Sequence, residues 1–320
     1  MTTDVRRLEV RGIEDLLLAT GGDREFLPAQ MGRSRVSGEL AAAEVGDFTL
    51  TYGRFQSDIH VAGTWSNKKA TIAVLLAADG ISVFGKPGHV GDIAVAGAGR
   101  EIDGRYREAV EYVAINFDKS HALETAEGCG WAIDERILDG ADLLSPDAPL
   151  AASLTSRVRR LASTMRSGGL ASRDPATERR LADSVLIEFL RGVAKARPGP
   201  TDGRVSRRAP PRLVRRVVEW LTEDPAQAHR IPEIARRFEI SPRHLNRAFQ
   251  AEVGMSPAKY LKRYRMTRAR LDLYAADPAE RTVSAVAVSW GFWDLGRFAV
   301  EYRALFGERP SETLRTFASA

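Results

Sequence analysis

The chain has 320 residues, 44% of them hydrophobic and 28% charged, and a net charge of +5. This balance excludes a disordered or fibrous chain and suits one or two globular domains. A single cysteine, Cys129, excludes an internal disulfide and a cysteine-built zinc site, and is expected to be a buried, inert thiol rather than a redox sensor.

The first 18 residues carry Asp4, Arg6, Arg7, Glu9, Arg11, Glu14 and Asp15, so they lack the apolar centre of a signal peptide. No run of 18 apolar residues follows, and a cytoplasmic protein without a membrane partner is expected. Residues 36–118 carry short β-prone runs at Phe48 to Phe55, Ala70 to Leu76, Ile81 to Phe84, Asp92 to Val95 and Glu111 to Phe117. Turns are expected at Gly46-Asp47, Asp79-Gly80, Gly85 to Gly91, Gly97 to Gly99 and Asp103-Gly104, which suggests a small antiparallel barrel. Helical periodicity follows over about 148–194. Leu150, Leu154, Val158, Leu161 and Met165 share one face; after Asp174-Pro175, so do Leu181, Val185, Leu186, Phe189, Leu190 and Val193. Both stripes must be buried, on the barrel or against a second subunit. Residues 195–211, with four prolines and five basic side chains, read as a linker between a domain at 1–194 and another at 212–320.

From residue 201 onward there are 22 Lys and Arg against 14 Asp and Glu, a surplus of +8, whereas the first 200 residues carry −3. A basic surplus is expected where phosphates are neutralised. The same region holds an internal repeat. Ile231, Ile234, Ala235, Leu245, Phe249, Val253, Gly254 and Pro257 recur as Val283, Val286, Ala287, Phe298, Tyr302, Phe306, Gly307 and Pro310, offset by 52 residues before a turn and by 53 after it. A lead-in helix with Leu213, Val217, Trp220 and Leu221 on its buried side precedes them.

In the first copy, Pro232 to Phe238 is a supporting helix and Glu239 to Ser241 a turn, with Ser241 capping a second helix and Pro242 at its first position. Leu245, Phe249 and Val253 face inward, which leaves Arg243, His244, Asn246, Arg247 and Gln250 outside. Arg pairs bidentately with guanine, and Asn or Gln with adenine, so this face suits a major groove. The equivalent stripe of the second copy is Gly296, Ala299, Val300 and Arg303, able to meet thymine methyls or the backbone but poor in hydrogen bonds to bases; Arg297 and Arg303 are expected on phosphates. Between the copies, a helix from Ser256 to about Ala275, roughly 19 residues at about 1.5 Å each, spans about 28 Å. That approaches the ~34 Å between successive major-groove segments. Lys259, Lys262, Arg263, Arg265, Arg268 and Arg270 along it are expected to contact phosphates.

Taken together, Ile234-Ala-Arg-Arg-Phe238, Ser241-Pro-Arg-His-Leu-Asn-Arg-Ala-Phe249, Gly254-Met-Ser-Pro-Ala-Lys-Tyr260, Arg265 to Ala269 and Gly291-Phe292 through Phe306-Gly307 resemble the AraC/XylS family of bacterial transcription regulators. The resemblance covers about Leu213 to Arg315. It implies two helix-turn-helix units joined by a helix, with Arg243, Asn246 and Arg247 facing the groove; Leu295, Gly296, Ala299 and Val300 depart from the commoner polar pattern. It also implies a cupin-like N-terminal sensor and dimerisation domain, hence an α+β fold: an antiparallel β-barrel at about 36–118 with two helices, then an all-α domain.

A small-molecule-responsive activator is therefore expected, homodimeric, with promoter DNA, RNA polymerase and an unidentified effector as partners. Tyr52, Arg54, Phe55, Trp65, Phe84 and Trp131 are candidates to line an effector pocket. No cofactor or metal site is expected, since the five histidines show no paired spacing, and no nucleophile motif supports catalysis. The alternatives are a DNA-repair enzyme fused to such a domain, which a single cysteine opposes, and a ligand-independent architectural binder.

Overall fold

The structure is a computed structural model and describes residues 5–19, 26–64, 68–168, 175–198, 212–223 and 230–316. The chain opens with β1 (Val5–Val10), α1 (Ile13–Ala19) and β2 (Phe26–Gln30). It continues through β3 (Ser37–Val45), β4 (Phe48–Gln56), β5 (Ile59–Thr64), β6 (Ala70–Ala78), β7 (Ile81–Val83), β8 (Lys86–Pro87), β9 (Ile93–Ala96), β10 (Glu101–Tyr106) and β11 (Ala109–Phe117). Next come α2 (Lys119–Gly128), α3 (Glu135–Asp139), β12 (Ala141–Ser145), α4 (Ala148–Ser167), α5 (Pro175–Lys195) and β13 (Arg197–Pro198).

The strands pair antiparallel in two sheets, ordered β1-β3-β4-β11-β6-β9-β12-β13 and β2-β5-β10-β7-β8. An antiparallel sheet-rich half followed by a helical half gives the α+β class, but the expected barrel is not closed: the two sheets share no strand and stack as an open sandwich. Val10, Leu40, Phe55, Leu75 and Val110 of the larger sheet meet Ile59, Val61, Ile81 and Val83 of the smaller one. On its other face the larger sheet is covered by α2, α4 and α5, with Leu50, Tyr52, Ile72, Val74, Val113 and Ile115 against Leu154, Val158, Met165, Leu186, Phe189 and Leu190. The two helical stripes are therefore buried on the sheet. Covering both faces explains why β6 reads as a continuous apolar run rather than an alternating one.

Several expectations are corrected. The sheets begin at Val5, well before residue 36, and the helices around them include α1, α2 and α3 as well as α4 and α5. Asp103-Gly104 is no turn but lies inside β10, paired with β5, where a Cβ at Gly104 would sit 2.7 Å from the Tyr106 hydroxyl that folds across it. Phe84 ends β7 in a left-handed turn at φ 52°. Arg197–Pro198 pairs with β12, so the expected linker begins as an edge strand; residues 199–211 and Asp174 lie outside the described residues. Cys129 is exposed, because α2 ends at Gly128 and its buried side stops at Ala126.

The helical half comprises α6 (Arg212–Glu223), α7 (Ile231–Arg237), α8 (Pro242–Val253), α9 (Pro257–Tyr274), α10 (Val283–Ser289), α11 (Leu295–Phe306) and α12 (Pro310–Thr316). It has two cores. One gathers Val214, Val217 and Leu221 of α6 with Ile234, Leu245, Phe249, Tyr260 and Tyr264; the other gathers Met266, Ala269 and Leu273 of α9 with Val286, Phe298, Tyr302 and Phe306. The helix α9 supplies both, and it also meets the sheet-rich half. Ala29 and Met31 enter the first core, and Leu271 packs into the core between the sheets. Across this seam the Gln30 backbone N–H donates to Thr267 Oγ1 at 3.1 Å, and Gln30 Nε2 donates to the Leu305 carbonyl at 2.8 Å. The His60 ring lies 2.7 Å from the Tyr260 hydroxyl, and Arg270 grips Glu14.

Candidate nucleic-acid interface

Each recognition candidate is a helix with a side-chain cap at its start and a left-handed glycine at its end. Ser241 Oγ accepts from the His244 N–H at 3.1 Å and Gly254 closes α8 at φ 68°; Asp294 Oδ1 accepts from the Arg297 N–H at 2.9 Å and Gly307 closes α11 at φ 80°. These caps satisfy backbone groups that a helix end leaves open. Ser241→Ala should lower stability by about 1 kcal/mol in chemical denaturation. An unchanged midpoint would show that the cap contributes nothing to this end of α8.

The turns that set the angle between helices also correspond. Glu239, left-handed at φ 54°, and Gly291, at φ 75°, are 52 residues apart. So are the hydrogen bonds Ile240 N–H to Ala235 O and Phe292 N–H to Ala287 O, both 2.9 Å. The supporting helices bury Ile234 and Ala235 in one copy and Val286 and Ala287 in the other.

On α8 the buried residues are Leu245, Ala248, Phe249 and Val253, and Arg243, His244, Asn246, Arg247 and Gln250 are all exposed. Asn246 Nδ2 donates to the Pro242 carbonyl at 3.0 Å, which holds the amide against the first turn. On α11 Phe298, Tyr302, Leu305 and Phe306 are buried, Gly296, Arg297, Val300 and Arg303 are exposed and Ala299 is half-buried. Arg297 Nε donates to Glu301 at 3.1 Å, and Lys262 pairs with the same carboxylate. Burial raises the Glu301 pKa, but the hydrogen bonds from Lys262 and Arg297 outweigh it and hold the carboxyl below its usual range.

The helix α9 cannot present its whole basic row to phosphates as expected. Its neighbours leave it little free surface: Arg270 is buried, Lys262 is paired with Glu301, and Arg268 stacks over the Trp290 ring at 5.9 Å. Arg263 is half-buried towards Asp58, with burial pulling its guanidinium pKa down against that attraction. Lys259 is exposed at the start of the helix. The strut itself is as expected, capped by Ser256 and 18 residues long, hence about 27 Å.

A helix-turn-helix domain model matches residues 234–316. Over 106 residues the chain is 43% identical to a probable thc operon regulatory protein of Rhodococcus erythropolis, covering 33% of this chain and 32% of that one. Over this domain, the chain is similar to regulators of the AraC/XylS family. A second AraC/XylS relative, the XylDLEGF operon transcriptional activator of Pseudomonas putida, is 34% identical over 100 residues, or 31% of each chain. The chain thus spans about a third of the length of these curated relatives. Among solved structures, a probable AraC family transcriptional regulator from Rhodopseudomonas palustris is 39% identical, covers 33% of this chain and 97% of its own, and has a TM-score of 0.30.

The pocket candidates do not converge. Tyr52 and Phe55 lie on opposite faces of the larger sheet, Tyr52 towards the helices and Phe55 between the sheets, while Arg54 is exposed. Phe84 packs at the margin of the inter-sheet core, Trp131 beside α2 against the helix-covered core, and Trp65 lies outside the described residues. Strand alternation separates side chains that sequence proximity suggested were neighbours. A cleft of about 240 Å³ is lined instead by Arg7, Leu8, Glu9, Glu39, Leu40, Ala41 and Arg166.

Proposed function

We propose that the chain is a one-component transcription regulator that binds promoter DNA through α8 and α11, with α8 supplying most of the hydrogen-bonded base discrimination. The observation that carries this reading is the pair of matched, capped helices whose outward faces are exposed, one of them lined by Arg243, Asn246, Arg247 and Gln250. The +8 surplus from residue 201 onward supplies the electrostatic part. Activation is favoured because XylDLEGF operon relatives bear the name of activators.

The sheet-rich half is assigned the sensing of a small effector and the pairing of two subunits, and RNA polymerase is the partner recruited. No helix among the described residues is long and apolar enough to cross a membrane, in keeping with a cytoplasmic protein. A repair enzyme carrying such a domain is the competing reading, and bound zinc or alkyl transfer in a thiol and metal assay would favour it.

The test is selection of bound duplexes from a random pool by the full chain, followed by titration of affinity against salt. A shared sequence and a steep linear fall of log affinity with log salt are expected. Retention of every duplex alike would leave an architectural binder, and no retention at all would end the proposal.

A further inference from the structure

The one-residue difference between the two copies falls on a single side chain. The turn hydrogen bonds of Ile240 and Phe292 correspond at an offset of 52, and the caps Ser241 and Asp294 at 53, so the residue without a counterpart is Trp293. Its side chain is 73% exposed. It stands at the start of α11, whose outward face carries Val300, 71% exposed. Gly296 keeps the face open, since a Cβ there would have only Asp294 Oδ1 within 4 Å, at 3.6 Å. Exposed apolar side chains grouped in this way mark a binding surface.

Charge and position indicate its occupant. Gly296, Ala299 and Val300 occupy on α11 the places that Arg243, Asn246 and Arg247 occupy on α8, Trp293 is added before them, and Arg297 and Arg303 are exposed on the same helix. A surface with apolar groups at its centre and cations at its margins fits a groove walled by phosphates. In a major groove the apolar group on offer is the thymine C5-methyl. We propose that α11 identifies thymine by its methyl group, with Trp293, Ala299 and Val300 packing on thymine methyls in the second groove segment. This inference rests on the DNA-binding reading above, and it makes the second helix a specificity element of a different chemistry from the first.

Deoxyuridine tests it, because it removes the methyl and leaves every hydrogen-bonding group of the base in place. The full chain is titrated with its selected duplex carrying deoxyuridine for thymine either in the α11 segment or in the α8 segment. Each buried methyl lost from the α11 segment should weaken binding about fourfold, and replacement in the α8 segment should have a smaller effect. Trp293→Ala and Val300→Ala should weaken binding to the thymine duplex and lose the sensitivity to deoxyuridine.

Tight binding indifferent to deoxyuridine in the α11 segment would overturn methyl reading while leaving DNA binding intact. Failure to bind any duplex would instead remove the reading on which it rests. Variants that weaken thymine and deoxyuridine duplexes equally would assign the patch a structural role. Variants with unchanged affinity but lost transcription would assign it to a protein partner; either result overturns the proposal.

Discussion

Arg270→Ala is expected to lower stability by about 3–5 kcal/mol and to loosen the helical half from the sheet-rich half. The Arg270 side chain is 3% exposed and donates to both oxygens of Glu14, at 2.8 and 2.9 Å, and to Glu308 at 2.8 Å, with the Phe306 ring 5.0 Å away. Removing the guanidinium leaves two carboxylates facing each other across a seam with little water. The pair would not merely go unsatisfied. Glu14 belongs to the other half of the chain, so parting of the halves lets water reach it, and the loss is capped at the free energy of docking. Glu14→Ala separates the two contributions, because it breaks the contact across the seam and leaves Arg270 with Glu308. Both variants should speed amide exchange in β2 and α9, and Arg270→Ala should also destabilise the core of Phe298, Tyr302 and Phe306. Exchange in β2 unchanged in both variants would show that the ion pair does not hold the seam.

Arg247→Ala is expected to cost about 1–3 kcal/mol of binding to the preferred duplex, which is about 5- to 150-fold in affinity, and to relax preference at one position of the first half-site. Arg247 is exposed on the outward face of α8 and has no counterpart of its chemistry on α11, where Val300 takes its place. The two helices should therefore fail differently. Loss of Arg247 removes a bidentate donor, whereas Val300→Ala removes only a few apolar contacts and should cost a few-fold. A binding series over single base changes measures both. Comparable losses of discrimination for the two variants would refute the division of labour between the helices.

The helix-turn-helix units were legible because three independent signals coincide in them: buried residues at intervals of four, a capping Ser241 before Pro242, and closing glycines at 254 and 307. Their repetition then tied the two units together. The sheet-rich half was only partly legible. The β3 segment, SGELAAAEV, is rich in alanine because it lies between two covered faces, and Val45 at its end is its one β-branched residue. The strand β2 is short and interrupted by Pro28, and its partner β5 lies some thirty residues on. Aromatic or polar character, which marks the pocket candidates in the sequence, does not report the face on which a strand residue lies.

The seam was invisible for a different reason. Glu14, Gln30 and His60 are unremarkable singly, and each finds its partner more than 190 residues away, so no local pattern announces them. The partners of the basic row of α9 are hidden on the same account. Charge gave its sign, but only the packing shows that Arg270 and Lys262 are occupied within the protein.

The helix α9 fixes the distance between α8 and α11 and is also the surface on which the sheet-rich half rests. A chimera that joined this helical half to a sensor from another regulator would lose the groups that cover Tyr260, Thr267 and Arg270, even if the cut fell between folded units. To transplant cleanly, Glu14, Gln30, Met31 and His60 would have to travel with it. The unit of inheritance for the proposed DNA binding is thus larger than its two recognition candidates.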